Sequence, residues 1–219
     1  MVGYRRRSFD IRVLKLLLRP GTSLVRRVSA SAMLRIADRE MAQGLVLVDL
    51  TREQQAGHLF PILKSALTMI AEVDPRRYAR IRCDVRRVAV IRSVASAGEY
   101  WPQYDAIALE AHHVENHVLL SICETIVHEA THARIARWGV RDSVDRERLE
   151  RACVKQEIVF ARKVPGSERL IEGALRKLDM RWWDEPSNSR LFDQRLERAG
   201  TPLWLRRVLV WLYHGNGGK

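Results

Sequence analysis

Glu124-Thr-Ile-Val-His-Glu-Ala-Thr-His-Ala-Arg-Ile-Ala-Arg-Trp138-Gly139 is the stretch from which the rest of the chain can be read. Within it, His128-Glu129-Ala130-Thr131-His132 spells H-E-x-x-H. On an α-helix, residues four apart stack on one face, so both imidazoles can reach a single metal ion. Glu129 projects from the neighbouring face, where its carboxylate can take a proton from an activated water. Two neutral imidazoles and an adjacent base are what a hydrolytic zinc site requires. Composition alone, with 7 His in 219 residues, produces the motif in about one or two chains in a hundred.

The motif works only on a helix, and its surroundings predict one from Val114 to Trp138. Val118, Leu119, Ile122, Ile126, Ala130, Ala133 and Ala136 recur as an apolar stripe. Arg134 and Arg137 suit the negative end of the helix dipole, and Gly139 is placed to terminate it. Upstream, the β-branched run from Val85 to Val94 and the segment from Tyr104 to Ala111 read as two strands. Ala95-Ser96-Ala97-Gly98 lies between them as a turn, suggesting an antiparallel hairpin. Further back, Leu45-Val46-Leu47-Val48 reads as a short buried strand. It stands between a helix over 22–43, stopped by Gly44, and another from Thr51 to Val73, closed by Asp74-Pro75. Downstream, helices are expected over 143–163, 167–180, 189–199 and 202–213. The fold class is therefore α+β, mainly helical, with a small antiparallel-containing sheet packed on the H-E-x-x-H helix.

Charge divides the chain. The net charge is +12, but residues 1–50 hold ten Lys/Arg against four Asp/Glu and residues 190–219 hold six against two, leaving the middle nearly neutral. This suggests a basic helical arm over 1–50, a catalytic core over 51–180 and a helical extension over 181–219 packed on that core. The basic arm has no aromatic-interleaved motif, which argues against nucleic acid. Its basic and apolar residues, and those of Leu203–Tyr213, could instead touch a membrane surface peripherally. No run of about 18 apolar residues is present, and the apolar stretch after Arg5-Arg6-Arg7 is interrupted by Arg12, Lys15 and Arg19, so neither a spanning helix nor a secretory signal is expected. Cys83, Cys123 and Cys153 are odd in number and form no C-x-x-C, which points to a reducing cytoplasm. Cys123 and Cys153 read as small buried core residues, with metal ligation as the alternative.

A catalytic zinc needs a third protein ligand and one position left for water. Glu147, Glu150 and Glu157 follow on the next helix. From residue 130 to the helix end near 138 is about 12 Å of rise, so an antiparallel return from residue 143 comes level near 151. Glu150 fits that register. Glu147 lies in the charged run Asp145-Arg-Glu-Arg148, and Glu157, the principal alternative, overshoots by about 9 Å.

H-E-x-x-H followed by a glutamate on the next helix resembles the gluzincin class of zinc metallopeptidases. The combination of His128-Glu-Ala-Thr-His132-Ala-Arg, Glu150-Arg-Ala-Cys153 and Phe160-Ala-Arg-Lys163 is most similar to an uncharacterised bacterial family with the same HEATH motif. Val154 stands where an aspartate often follows E-x-x-A in the membrane-embedded branch. The resemblance implies a zincin-like fold, with one zinc ion held by His128, His132 and Glu150, and Glu129 as proton acceptor. It also implies a peptide or protein substrate lying along an edge strand in the 104–111 region. Tyr100, Tyr104, His112, His113 and His117 are the candidates for a donor to the transition state. The competing expectation is a non-enzymatic interaction module with a structural metal, docked through its basic ends.

Overall fold

The computed structural model describes residues 37–51, 57–92, 96–139 and 145–179, together with the isolated positions 193, 197, 203, 206 and 207. The chain divides into two compact units, and every described element belongs to the unit Asp38–Lys219. That unit is α+β. Five strands form one mixed sheet: β1 (Asp38–Ala42), β2 (Leu45–Asp49), β3 (Arg87–Ile91), β4 (Gly98–Trp101) and β5 (Ala106–Glu110). The helices are α1 (Phe60–Val73), α2 (Pro75–Asp84), α3 (Ala111–Asn116), α4 (Leu119–Arg137), α5 (Arg146–Ala161) and α6 (Glu168–Asp179).

The sheet order is β1-β2-β3-β5-β4. β2, β3 and β5 run parallel, and β1 and β4 are antiparallel edge strands. The three inner strands carry the apolar runs expected of strands buried on both faces, with Leu45, Leu47, Val88, Val90, Ile107 and Leu109 fully buried. The expected hairpin between the 85–94 and 104–111 segments is therefore wrong: β3 and β5 are parallel neighbours. β5 instead forms its hairpin with β4, through a 3-10 turn over Pro102–Tyr104. β4 has only four residues, beginning with a glycine, so local pattern gave it no weight as a strand.

The helix expected over 22–43 is overturned at its end, where Asp38–Ala42 is a strand. Gln43 and Gly44 both have positive φ, 53° and 83°, which makes the tight two-residue turn joining β1 to β2. Pairing with the apolar β2 outweighs the helical preference of Asp-Arg-Glu-Met-Ala. Helix α1 starts at Phe60 rather than Thr51, with Pro61 in its first turn. Asp74-Pro75 ends it as expected and also starts α2: Asp74 caps the new helix by accepting from the Arg77 amide at 3.1 Å, and Pro75 lies in its first turn.

Nor does the motif helix run unbroken from Val114. α3 stops at Asn116, His117 and Val118 are extended, and α4 begins at Leu119. Val118, expected in the core stripe, is 66% exposed at this joint. From there the expectation holds: Ile122, Ile126, Ala130 and Ala133 are buried, and Gly139 follows the helix at φ 71°. α4 packs against the sheet at β4 and β5, against α1 and α2, and against α5, which in turn carries α6. Contact on so many sides explains why its buried residues include Glu124, His128 and Glu129 as well as aliphatic ones.

Of the helical arm expected over 1–50, residues 1–36 lie outside the described residues and the rest holds β1 and β2; most of the extension over 181–219, with the helices expected at 189–199 and 202–213, also lies outside them. Among the isolated positions, Arg206 grips Asp193 through two nitrogens at 2.9 and 2.7 Å and meets Glu197 at 2.8 Å. No helix among the described residues is long and apolar enough to cross a membrane.

Candidate metal centre

One turn of α4 sets His128 above His132, and their Nε2 atoms lie 3.1 Å apart. Glu150, from the first half of α5, brings Oε2 to 3.3 Å from His128 Nε2 and 3.7 Å from His132 Nε2. Both separations are ion-pair contacts, and Glu150 Oε2 is buried with no hydrogen bond of good geometry. Three lone-pair atoms thus converge on one point. With His128 protonated the cluster is held by its pairing with Glu150 and Glu157, and a cation can take the place of the Nε2 proton.

The spacing fits a metal. Zinc bonds of about 2.0–2.2 Å in a tetrahedron separate neighbouring ligand atoms by about 3.3–3.5 Å, and the three distances found here bracket that value. The residues present therefore suit zinc: two imidazoles, one carboxylate, and His132 partly open to solvent with 19% of its side chain exposed.

Glu157, weighed as the other candidate ligand, takes a different position. Its Oε1 lies 2.5 Å from His128 Nδ1, the nitrogen facing away from the cluster, and its Oε2 meets Lys177 Nζ of α6 at 3.0 Å. A carboxylate on the outer nitrogen holds a proton at Nδ1, turns Nε2 toward His132 and Glu150, and orients the ring. The expected overshoot of Glu157 was measured from the middle of the motif. His128 lies farther back along α4 than His132, and an antiparallel helix meets it later in sequence.

Glu124 completes a polar stripe at 124, 128 and 132, one turn apart, that the sequence reading missed. It is buried, and its Oε1 has no hydrogen-bond partner. Burial, reinforced by the charge of Glu157, pushes its carboxyl up to about 7 against the opposing pull of Lys177. The i, i+4, i+8 spacing was the signal that could have found it.

Electrostatics follow from burying so many ionisable groups together. Burial disfavours the charged form of His128, but the contacts with the Glu150 and Glu157 carboxylates and the charge of Glu129 outweigh it, holding the imidazole up to about 10. Glu150 and Glu157 move oppositely: burial would raise them, but their histidine contacts, and Lys177 for Glu157, hold both below the usual carboxylate range. Burial raises Glu129, partly countered by His128 and His132. A carboxylate raised in this way is a stronger proton acceptor than an ordinary one.

Glu129 lies under the edge strand. A Cβ placed on Gly98 of β4 would stand 2.6 Å from Thr125 Cγ2, 3.1 Å from Glu129 Cγ and 3.3 Å from Leu109 Cδ2. Only a residue without a side chain lets β4 lie this close to the helix at Glu129. Gly98 is thus a packing position within a strand, not the turn expected from Ala95-Ser96-Ala97-Gly98. The edge strand is β4, whereas the 104–111 region expected in that role holds β5, an inner strand between β3 and β4.

The candidate donors are spread around this edge. Tyr100 is half-buried on β4 against the core, and Tyr104 lies in the 3-10 turn with its ring edge-on to Trp101. His113 is buried, with Nε2 3.0 Å from Thr125 Oγ1, one turn before Glu129, and its ring packs on that of His117. His112 is exposed and meets Asn116. Of the two buried cysteines, Cys123 sits in the core with its thiol toward the Ala66 carbonyl. Cys153 is also fully buried, but its sulfur lies within 4.8 Å of ligand nitrogens of both His128 and His132.

Comparison of the chain with protein-family models, curated proteins and solved structures finds no match.

Proposed function

We propose that this chain is a zinc-dependent hydrolase, specifically a metallopeptidase of the gluzincin kind with a zincin-like core. The observation that carries the reading is the convergence of His128 Nε2, His132 Nε2 and Glu150 Oε2 at 3.1, 3.3 and 3.7 Å, with the buried Glu129 beside them. Supporting it is the antiparallel edge strand β4, which lies against α4 at Glu129, where an extended peptide could run alongside.

His128, His132 and Glu150 would hold the ion. When bound, zinc supplies Lewis acidity, polarising a carbonyl and acidifying water. Glu129 accepts the proton of the attacking water and delivers it to the leaving amine. Glu157 holds the His128 ring in its ligating tautomer, while Lys177 fixes Glu157 from the other side.

Purified protein is expected to hold about one zinc per chain. Glu129→Gln should keep the metal while lowering peptide hydrolysis by about 100- to 10,000-fold. Metal content and cleavage of a mixed peptide library measure the two separately. Zinc content unchanged in His128→Ala would reject the site, hydrolysis unchanged in Glu129→Gln would reject Glu129 as the proton acceptor, and a biological activity that survives Glu129→Gln without any peptide hydrolysis would favour the non-enzymatic module.

A further inference from the structure

Cys153 stands where a core cysteine has no need to be. It follows Glu150 by three residues, so both side chains lie on the same face of α5, the face turned to His128 and His132. It is fully buried, and its sulfur and the two imidazole nitrogens lie within 4.8 Å of one another. In a tetrahedral site with a Zn–S bond of about 2.3 Å and Zn–N bonds of about 2.0–2.1 Å, sulfur and nitrogen ligands stand about 3.6 Å apart. The sulfur thus stands at most about 1.2 Å farther from a nitrogen of each histidine than a fellow ligand would.

We propose that Cys153 is a reserve metal ligand, able to close the coordination position that water must occupy for hydrolysis. The proposal rests on the metal-site reading above and adds a second state to it. With Cys153 withdrawn, His128, His132 and Glu150 leave one position open. With Cys153 engaged, the set becomes two nitrogens, one oxygen and one sulfur, and the centre is closed. Engagement breaks the S–H bond, forms a sulfur–metal bond and releases the thiol proton to solvent, and no oxidation state changes. A thiolate also shifts metal preference toward thiophilic ions such as zinc, cobalt and cadmium, and away from magnesium and calcium.

Cobalt(II) tests this directly, because a thiolate bound to cobalt gives an intense near-ultraviolet charge-transfer band that imidazole and carboxylate ligands lack. The full-length chain is loaded with cobalt beside Cys153→Ala, His128→Ala and Cys83→Ser, the last removing the exposed thiol. The expected result is one cobalt per chain with the band in wild type and Cys83→Ser. In Cys153→Ala cobalt should remain while the band disappears, and in His128→Ala both should be lost. Cobalt bound through His128 with no such band, or a band that vanishes only in Cys83→Ser, overturns the role of Cys153 and leaves the metal site standing. Failure of wild type to bind cobalt at all overturns both. If Cys153→Ala fails to fold, Cys153→Ser provides the same comparison with a smaller change.

Discussion

Two of the buried polar clusters among the described residues differ in how their hydrogen-bonding capacity is used. At the α1–α2 junction, the Asp74 carboxylate accepts from the Arg77 amide at 3.1 Å, from the Arg77 guanidinium at 3.1 Å and from Lys163 Nζ at 2.7 Å. Its charge is balanced and its lone pairs are engaged. At the other cluster, His128, His132 and Glu150 crowd three potential ligand atoms together, and Glu150 Oε2 has no hydrogen bond of good geometry. A satisfied cluster holds two helices and the end of a third together. Under the proposed function, the second cluster reaches its full complement of contacts only with the cation that it is proposed to hold.

The sharpest way to break this contrast is to supply the cation. Zinc at a free concentration about a thousandfold above its Kd should stabilise the fold by about 4 kcal/mol. Asp74→Ala should retain that increment and His128→Ala should lose it, as read by denaturation with and without metal. Equal increments in all three proteins would erase the distinction. A smaller effect is expected one contact farther out. Glu157→Gln should keep its packing yet weaken zinc binding about 10- to 100-fold, measured by competition with a chelator. An unchanged affinity would reduce the His128–Glu157–Lys177 chain to a structural contact.

Least in size is the effect at the satisfied cluster. Asp74→Ala should cost about 1–2 kcal/mol at neutral pH through loss of the cap and its cationic partners. Burial alone would raise the Asp74 pKa, but Lys163 and Arg77 hold it below the ordinary 3.8. A carboxyl depressed in the folded state gives its full contribution above the unfolded value and loses it as pH falls through the folded one. The difference between wild type and Asp74→Ala should therefore be constant from neutral pH to about 5 and shrink below about 4. A difference that persisted unchanged at pH 2 would show that the carboxylate charge contributes nothing.

What could be read in the sequence tracks the distance over which its cause acts. The spacing of His128 and His132, the end at Gly139 and the apolar runs of β2 and β5 are set by residues within a turn or a few positions. All were legible. The register of α5 against α4 could be approximated from helical rise, which was enough to bring Glu150 to the histidines. Where two local signals competed, the reading failed. Asp74-Pro75 serves as both a stop and a start, and Asp38–Ala42 is helix-forming in composition yet is drawn into the sheet by β2. The parallel pairing of β3 with β5 was not legible, because the intervening β4 offers only Gly-Glu-Tyr-Trp. The role of Glu157 needed the exact height of His128 and the position of Lys177 on a third helix, which no local pattern carries.

The strand farthest from the metal centre has a consequence for how the molecule tolerates its own company. β1 closes the sheet opposite β4, and its outward backbone would invite another chain to add a strand. Asp38, Arg39 and Glu40 line that edge, and Lys64 of α1 is clasped onto Glu40. A neighbouring strand would have to align its backbone with alternating charges and displace an ion pair, so sheet-to-sheet aggregation is discouraged at this margin of the fold.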